Sequence, residues 1–383
     1  MRVVIVGAGI GGLAAAVALR RIGIQALVIE RAANIHEIGA GLSIWSNAVN
    51  ALRELGLESQ VMASASVVER TVTYTSQGRL ISKTELSEVT RIAGAPGVCI
   101  HRGILQKILF DALTQGSVRT SVRCAGFEGS TVILENGECI EADVLVGADG
   151  IHSIIRQQLH GAEVPRYGGY TCWRGMSPDV RGLLPERSAL LVMGSGSQFG
   201  AWPCGPGKLY WFLTKNVAPG TTQAKASALA VCRDWAVPVA EIVAGTPEDA
   251  MLQNDIIDRL PMRWWGRGNV TLLGDAAHAT TPNLGQGACQ ALEDAVVLAH
   301  CLSETNPVEA ALRKYEDFRL PRTSEIIRES WRTGKVLQLD SRVLEWLRNW
   351  FMGSRVGERL EMRLFRRLLT YQVPKLQSSC LLH

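Results

Sequence analysis

The first thirty residues constrain the chain most. Arg2-Val3-Val4-Ile5-Val6 is a β-branched, apolar run with the composition of a strand buried on both faces. Gly7-Ala8-Gly9-Ile10-Gly11-Gly12 follows, then an Ala/Leu-rich stretch from Leu13 to Arg21 that predicts a helix closed by Gly23. A second apolar run, Ala26 to Ile29, ends in Glu30. Strand, glycine turn, helix, strand and acid in this order make a dinucleotide-binding unit. Gly7 permits the tight turn, Gly9 lets the backbone approach a pyrophosphate, and Gly12 lets helix and strand pack closely. The helix N-terminus offers N–H groups and its positive dipole end to phosphates. Glu30 suits the hydroxyls of an adenosine ribose and repels a 2′-phosphate, and Arg31 beside it joins the candidate cofactor contacts. Glycines alone would fit an ordinary loop; the flanking strand, helix and acid carry the expectation.

Bulk properties exclude other classes. At 383 residues there is room for two domains, or for one large domain with an insertion. Hydrophobic content of 47% and charged content of 20% describe an ordinary globular protein. A net charge of +4, with no basic run interleaved with aromatics, gives no reason to expect nucleic-acid binding. The uncharged run Val3 to Leu19 superficially resembles a signal peptide, but glycines interrupt it and it falls short of the ~20 residues of a span. A cytoplasmic location is expected. Nine cysteines, ending at Cys380, include no C-x-x-C pair. Buried, reduced thiols are therefore expected, with no disulfide framework and no metal site.

Further along, Gly39-Ala40-Gly41 opens a loop or short extended segment that leads to a helix from Ala48 to Leu55. Its glycines allow close approach to a flat or phosphorylated ligand; a plain turn is the other reading. His101-Arg102 precedes an amphipathic helix, Ile104 to Leu113. A cation is mildly unfavourable at a helix start, so either a bound anion compensates Arg102 or the side chain is exposed. Val118 to Cys124, Thr131 to Leu134 and Cys139-Ile140 read as a small meander turned at Asn136-Gly137. Next comes a buried strand ending in Gly147-Ala148-Asp149-Gly150, with Ser153 and Arg156 on a following helix.

From Val164 to about Trp265, Gly, Pro and Trp become frequent. Strand-like runs at Tyr170–Arg174, Ala189–Met193, Phe199–Trp202 and Leu209–Thr214 predict an antiparallel sheet, with a helix over 224–236 beside it. Asn269 to Leu273 is again a buried strand and ends in Gly274-Asp275. The segment Pro282-Asn283-Leu284-Gly285-Gln286-Gly287 leads into a long helix carrying buried-carboxylate candidates Glu293 and Asp294, and a further helix spans 307–337. Ser341 to Val373 is helical, arginine-rich and amphipathic; a terminal helix docked on its own domain is expected rather than a membrane-surface segment.

Three glycine/aspartate motifs thus end buried strands. Ligands of doubly wound sheets sit at the carboxyl ends of strands, so all three can meet one extended ligand. An aspartate on a tight turn, such as Asp275, suits the hydroxyls of a ribitol chain, which favours FAD over a nicotinamide dinucleotide. With these residues the chain resembles the single-component flavoprotein monooxygenases related to para-hydroxybenzoate hydroxylase and salicylate hydroxylase, over nearly its whole length. Val4 to Glu30 is similar to the family's first motif and Asp149-Gly150-x-x-Ser153-x-x-Arg156 to its second. Gly274-Asp275-Ala276-Ala277-His278 with Pro282 is similar to the third. Tyr170-Thr171-Cys172-Trp173-Arg174 and Pro282 to Gly287 look most like zeaxanthin epoxidase-like, urate hydroxylase-like and alkylquinolone hydroxylase-like members.

The resemblance implies an α/β fold: a Rossmann-like FAD-binding domain of the glutathione reductase type with a parallel sheet, an inserted, mostly antiparallel β-sheet substrate domain and a C-terminal helical tail. The expected boundaries are 1–70, 97–163 and 266–335 for the FAD-binding domain, 71–96 and 164–265 for the substrate domain, and 336–383 for the tail. FAD contacts are expected at Gly7, Gly9, Gly12, Glu30, Arg31, Gly41, Arg102, Asp149, Arg156, Gly274, Asp275 and Gly287. The implied reaction is NAD(P)H- and O2-dependent hydroxylation of a small aromatic or heteroaromatic molecule through a flavin C4a-hydroperoxide. Gly285, Gln286 and Gly287 would place backbone N–H groups and a helix dipole at the anionic reduced flavin, and Pro282 would line the dioxygen side.

No second G-x-G-x-x-G exists, in keeping with NAD(P)H binding without a domain of its own. Trp173, Trp202, Tyr210, Phe212 and Pro282 are the candidate substrate contacts, although strand alternation turns only half of the sheet's aromatics toward one face. His278 is expected to be structural. Alkene epoxidation and non-catalytic FAD binding are the alternatives. The chain is expected to act as a monomer or homodimer.

Overall fold

The computed structural model describes residues 1–35, 40–178, 184–221, 224–236 and 238–377; Gly39 and Cys380, named above, lie outside them. The opening unit folds as expected. Val3–Val6 is buried throughout and forms the middle of a five-stranded sheet. Val144–Gly147 and Ala26–Ile29 flank it, with Val270–Leu272 and Val118–Arg119 at the edges. Every pairing in this sheet is parallel. The carboxyl ends of three adjacent strands, Val3–Val6, Val144–Gly147 and Val270–Leu272, therefore bring the turns at Gly7, Ala148 and Gly274 to one side of the sheet, although long stretches of sequence separate them. The small residues of helix Ile10–Arg21 let it pack closely on helix Gly287–Glu304, which is buried on nearly every side.

A second sheet has seven strands in the order Leu252–Asp258, Arg166–Pro178, Lys208–Asn216, Ser197–Pro203, Ser188–Gly194, Arg70–Thr75 and Leu80–Glu85. It is antiparallel apart from Ser188–Gly194, which runs parallel to Arg70–Thr75. Helices Lys225–Cys232 and Val239–Ala244 cover one face over Trp173, Phe199 and Trp211. Tyr210, Trp202 and Phe212 lie on the other face and pack with Ala40 and Trp45. An α/β fold with a parallel sheet, a mostly antiparallel sheet and a helical C-terminus is thus what the chain adopts.

Local details differ from expectation. Val118–Arg119 joins the parallel sheet, and the meander instead consists of Cys124–Glu128, Thr131–Leu134 and Cys139–Ile140. The C-terminal stretch is two helices, Arg342–Met352 and Arg355–Leu369, separated at Gly353-Ser354. Cys139 is exposed, while the other described cysteines are buried free thiols.

Candidate functional site

The glycine turn is shaped by contact on two sides and by space on the third. Gly7 has φ +109°, and a Cβ there would collide with the carbonyl oxygen of Ala148 at the start of the second motif. A Cβ on Gly12 would strike the carbonyl oxygen of Gly7. A Cβ on Gly9 would meet nothing within 4 Å, so this is the side open to a ligand. Gly9 precedes helix Ile10–Arg21 and no side chain caps it, leaving first-turn N–H groups available to an anion.

Glu30 supports the turn directly. Its Oε2 accepts from Ala8 N at 2.8 Å and its Oε1 from Ala32 N at 2.8 Å, with lone pairs left for further donors. Arg31 is exposed beside it. Gln106 donates to Ala8 O at 2.9 Å from helix Arg102–Asp111, and Arg102 N bonds to Ala40 O at 3.1 Å. Gly41 pairs in register with His101, so the Ala40–Gly41 and His101–Arg102 segments lie side by side. Burial lowers the Arg102 pKa, the charge of Asp275 opposes that shift and Arg174 adds to it; the three side chains share one electrostatic neighbourhood.

The second and third motifs are tied together by Arg156. Its guanidinium, 3% exposed, donates to Glu163 at 2.7 Å and reaches the carbonyls of Ala276 and Ala277 at 3.4 Å. Ser153 caps its helix by accepting from Arg156 N at 2.9 Å. Asp149 accepts from Ile154 N at 2.7 Å through Oδ2, whereas its Oδ1 is buried with no hydrogen-bond partner among the described residues. Burial raises the Asp149 pKa, outweighing the hydrogen bonds from Ser153 and Ile154. A cleft of about 200 Å³ beside this motif is lined by Arg156, Glu163 and Arg259 among others.

Asp275 is exposed at the start of the short helix Asp275–His278, after Gly274 at φ +63°. Facing it is the turn Pro282–Leu284, then Gly285 at φ +60° and helix Gly287–Glu304. A Cβ on Gly287 would touch Asp275 Oδ1 at 3.9 Å, so the two residues stand about one methyl group apart. Gln286 N-caps the helix without a side-chain bond, and its buried Nε2 lacks a partner.

Beneath this loop lies a buried polar network that the sequence reading only half anticipated. Glu293 and Asp294 are fully buried, as expected of them; Arg319, Arg322 and Asn47 were not foreseen as their partners. Asp294 meets His278 Nε2 at 2.5 Å, accepts from Gly274 N at 3.0 Å, and accepts from Arg319 Nε at 2.7 Å. Arg319 also donates to Glu293 at 2.6 Å, and Arg322 donates to both Glu293 oxygens at 2.7 Å. Asn47 bridges Glu293 at 2.6 Å to Gln286 at 3.1 Å. Burial alone would raise both acids, but His278 and Arg319 hold Asp294 down at about 2, and Arg319 and Arg322 hold Glu293 below its ordinary value. The network joins the Gly274 turn to the Gln286 turn, and it gives His278 a positioning role.

The candidate substrate residues separate. Trp202 stacks on Tyr210 and Phe212 with ring centroids 6.0 and 5.5 Å apart, and Gly41 backs onto Tyr210 so closely that a Cβ would collide with it. Trp173 is corrected: it is fully buried on the opposite face with Trp211, under helices Lys225–Cys232 and Val239–Ala244. Pro282 is exposed on its turn. Two aromatics were missed. Trp45, whose Nε1 lies 2.8 Å from the Cβ position of Gly285, packs near Phe365 of the terminal helix at 6.2 Å between centroids. Neither carries a sequence signal, because each reaches the region from a distant part of the chain.

The family model described as "FAD binding domain" matches residues 1–330. The aurachin C monooxygenase/isomerase of Stigmatella aurantiaca is 38% identical, covering 96% of this chain and 98% of that protein. The FAD-dependent urate hydroxylase of Klebsiella pneumoniae subsp. pneumoniae is 32% identical, over 94% and 96%. Among solved structures, Klebsiella pneumoniae HpxO complexed with FAD and uric acid superposes with a TM-score of 0.90 at 29% identity, covering 97% of both chains.

Proposed function

The chain belongs to the FAD-binding-domain family of FAD-dependent monooxygenases, and we propose that it uses NAD(P)H and dioxygen to place a hydroxyl group on an electron-rich aromatic or heteroaromatic ring. One observation carries this reading. Three strand-end turns converge on one edge of the parallel sheet, while the far end of that region meets an aromatic face of a second sheet.

The residues fit an extended dinucleotide. The open side of Gly9 leaves room for a pyrophosphate, and Asp149 Oδ1 is a buried acceptor awaiting a donor. Asp275 stands next to Gly287 with its carboxylate exposed, where it would take ribitol hydroxyls. Gly7 and Gly12 shape the turn, Glu30 holds it and would take the ribose hydroxyls, and Arg31, Gly41 and Arg102 flank it. Arg156 clamps the second motif to the third, and Gly274 sets the direction of Asp275. When bound, FAD supplies electron transfer from NAD(P)H and the activation of dioxygen.

The chain's own residues do the rest. The uncapped N–H groups at Gly287 favour negative charge on the flavin ring, with the helix dipole behind them. Gly285 and Gln286 set their position, and Pro282 borders the oxygen side without adding charge. Trp202, Tyr210 and Phe212 offer an apolar wall that holds a flat ring and excludes water. One substrate hydrogen is replaced by hydroxyl, and NAD(P)H with a proton reduces the second oxygen atom to water.

The test is oxygen uptake by the FAD-loaded protein with NADH or NADPH and a panel of phenols, salicylates and quinolones. Substrate-stimulated nucleotide oxidation with a hydroxylated product is expected; oxidation without such a product from any electron-rich ring overturns the reading. A second reading is oxygenation of an alkene as an epoxide, coupled to rearrangement. It is favoured by the likeness to a monooxygenase/isomerase, and the structure of the product separates the two.

A further inference from the structure

Helix Arg342–Met352 is amphipathic in the inverted sense. Its polar residues Glu345, Arg348 and Asn349 turn toward the protein: Glu345 accepts from Ser195 Oγ at 2.6 Å, and buried Arg348 donates to Leu337 O and Asn349 Oδ1, each at 3.0 Å. Val343, Leu344, Trp346, Leu347, Trp350 and Phe351 form the opposite face and are all exposed, Trp346 at 57% and Trp350 at 63%. A helix that only docks on its own domain carries its apolar stripe inward. Apolar residues scattered singly over a surface need no explanation, but a contiguous face does.

The next helix, Arg355–Leu369, supplies the complementary charge. Its inner side, with Met362, Phe365, Leu368 and Leu369, packs against Val89, Ile326 and Trp45. That agrees with the docked helix expected from the sequence. Its outer side carries Arg355, Arg359 and Arg363 with Val356 and Leu360, all exposed. Arg366 and Arg367 pair with Glu88 and Glu325, whereas Arg355, Arg359 and Arg363 have no ion pair among the described residues. Both helices lie against Leu80–Glu85, the edge strand of the seven-stranded sheet. An apolar face with two tryptophans therefore adjoins a row of unpaired guanidinium groups.

We infer that the outer face of residues 342–363 docks on an anionic lipid bilayer. Tryptophan rings settle at headgroup depth, aliphatic side chains enter the acyl boundary, and arginines meet lipid phosphates while their stems stay apolar. A second copy of the chain is the poorer occupant, because in a two-fold contact the exposed acid that residues 342–363 offer to three arginines is Glu358 alone, whereas a lipid surface offers each a phosphate. Among the described residues no helix is long and apolar enough to cross a membrane, so the docking is peripheral. Through Phe365 and Trp45 the docked helix also borders the aromatic face of the candidate site.

The test is flotation of the full-length, FAD-loaded protein with vesicles of phosphatidylcholine alone or mixed with phosphatidylglycerol. Binding to the mixed vesicles at low salt is expected, weakening as salt rises. Trp346→Glu with Trp350→Glu should abolish it. The triple replacement Arg355→Gln, Arg359→Gln, Arg363→Gln should weaken it by about 100-fold, the effect of three cations at an anionic surface. All five side chains are exposed, so circular dichroism and flavin content should match the unmodified protein and separate lost docking from misfolding. The inference is overturned if the unmodified protein ignores anionic vesicles at low salt, or if the variants bind as well as it does. It is also overturned if the protein is a dimer that the tryptophan pair of substitutions dissociates, with no vesicle binding, which would assign the face to a second copy.

Discussion

Gly9 and Gly12 sit three residues apart and should respond oppositely to the same substitution. At Gly12 a Cβ would meet backbone that cannot give way, so Gly12→Ala should fail to fold or lose several kcal/mol of stability. At Gly9 the space is open and the backbone is extended, so Gly9→Ala should cost about 1 kcal/mol or less, mostly as a poorer helix cap. It should nonetheless weaken FAD binding, because the methyl occupies the pyrophosphate side. Urea unfolding and flavin titration of the two variants check this; equal flavin affinity for Gly9→Ala and the unmodified protein would remove the pyrophosphate assignment. Arg319 makes a different demand. Its guanidinium serves two fully buried carboxylates, so Arg319→Met removes the one arginine that they share and should cost roughly 3–5 kcal/mol. The acid limb of the stability curve tests the same network. Asp294 titrates at about 2 in the folded chain against an ordinary 3.8, so between those values the folded state binds fewer protons than the unfolded one. Its contribution is complete above the ordinary value and is lost as pH falls through that window. The stability difference between the unmodified protein and Asp294→Asn should therefore shrink as pH falls from about 4 toward 2; a difference that does not change across that window would contradict it.

At the scale of elements, the two faces of the seven-stranded sheet have separate uses. Trp173 fills the core under two helices, so Trp173→Ala should cost about 3–5 kcal/mol in stability with little change in substrate KM for the protein that still folds. Trp202 is half-buried among Tyr210 and Phe212, so Trp202→Ala should cost less stability and raise KM several-fold. Denaturant unfolding and steady-state kinetics of both variants decide it, and a KM effect at Trp173 rather than Trp202 would reverse the assignment of faces. The contrast shows where sequence reading stops. Strand alternation puts Tyr210 and Phe212 on one face and Trp211 on the other from spacing alone, but it takes the register that sets Trp173 across from Leu213 to place Trp173 with Trp211. Which face meets the cofactor domain is decided by helices Lys225–Cys232 and Val239–Ala244, a packing choice that periodicity does not encode. Val118–Arg119 is a similar case. Two residues suffice to extend the parallel sheet, and nothing in so short a run separates that pairing from a meander. The partners of Glu293 and Asp294 were hidden for a related reason: Arg319 and Arg322 lie 25 to 29 residues away on another helix, where arginines ordinarily read as solvent-facing.

For the whole molecule, the legible part of the site is the part built from local chemistry. Each strand-end turn announces itself through its own glycines and acidic residue, at Gly7 to Glu30, at Asp149 to Arg156 and at Gly274 to Gly287. Their meeting follows from one rule about parallel sheets. The aromatic end was legible only as composition, because Trp45 and Phe365 arrive from opposite ends of the chain. A ligand that touches all three turns links parts of the fold that share few covalent neighbours, so its binding should stabilise the molecule as a whole. Binding to the folded state alone contributes about 2.7 kcal/mol at a free FAD concentration 100 times Kd, and the contribution grows with the logarithm of concentration. The thermal midpoint of the apoprotein should accordingly climb steadily as FAD is added. Asp275 is exposed and makes no hydrogen bond among the described residues, and its charge acts on buried Arg102, so Asp275→Ala should lower the midpoint of the apoprotein only slightly. With FAD present, its curve should shift to higher concentration in proportion to the lost ribitol contacts. Circular dichroism read together with flavin fluorescence on release follows both events in one sample. An Asp275→Ala midpoint that rises with FAD as steeply and as early as that of the unmodified protein would take Asp275 out of the cofactor site.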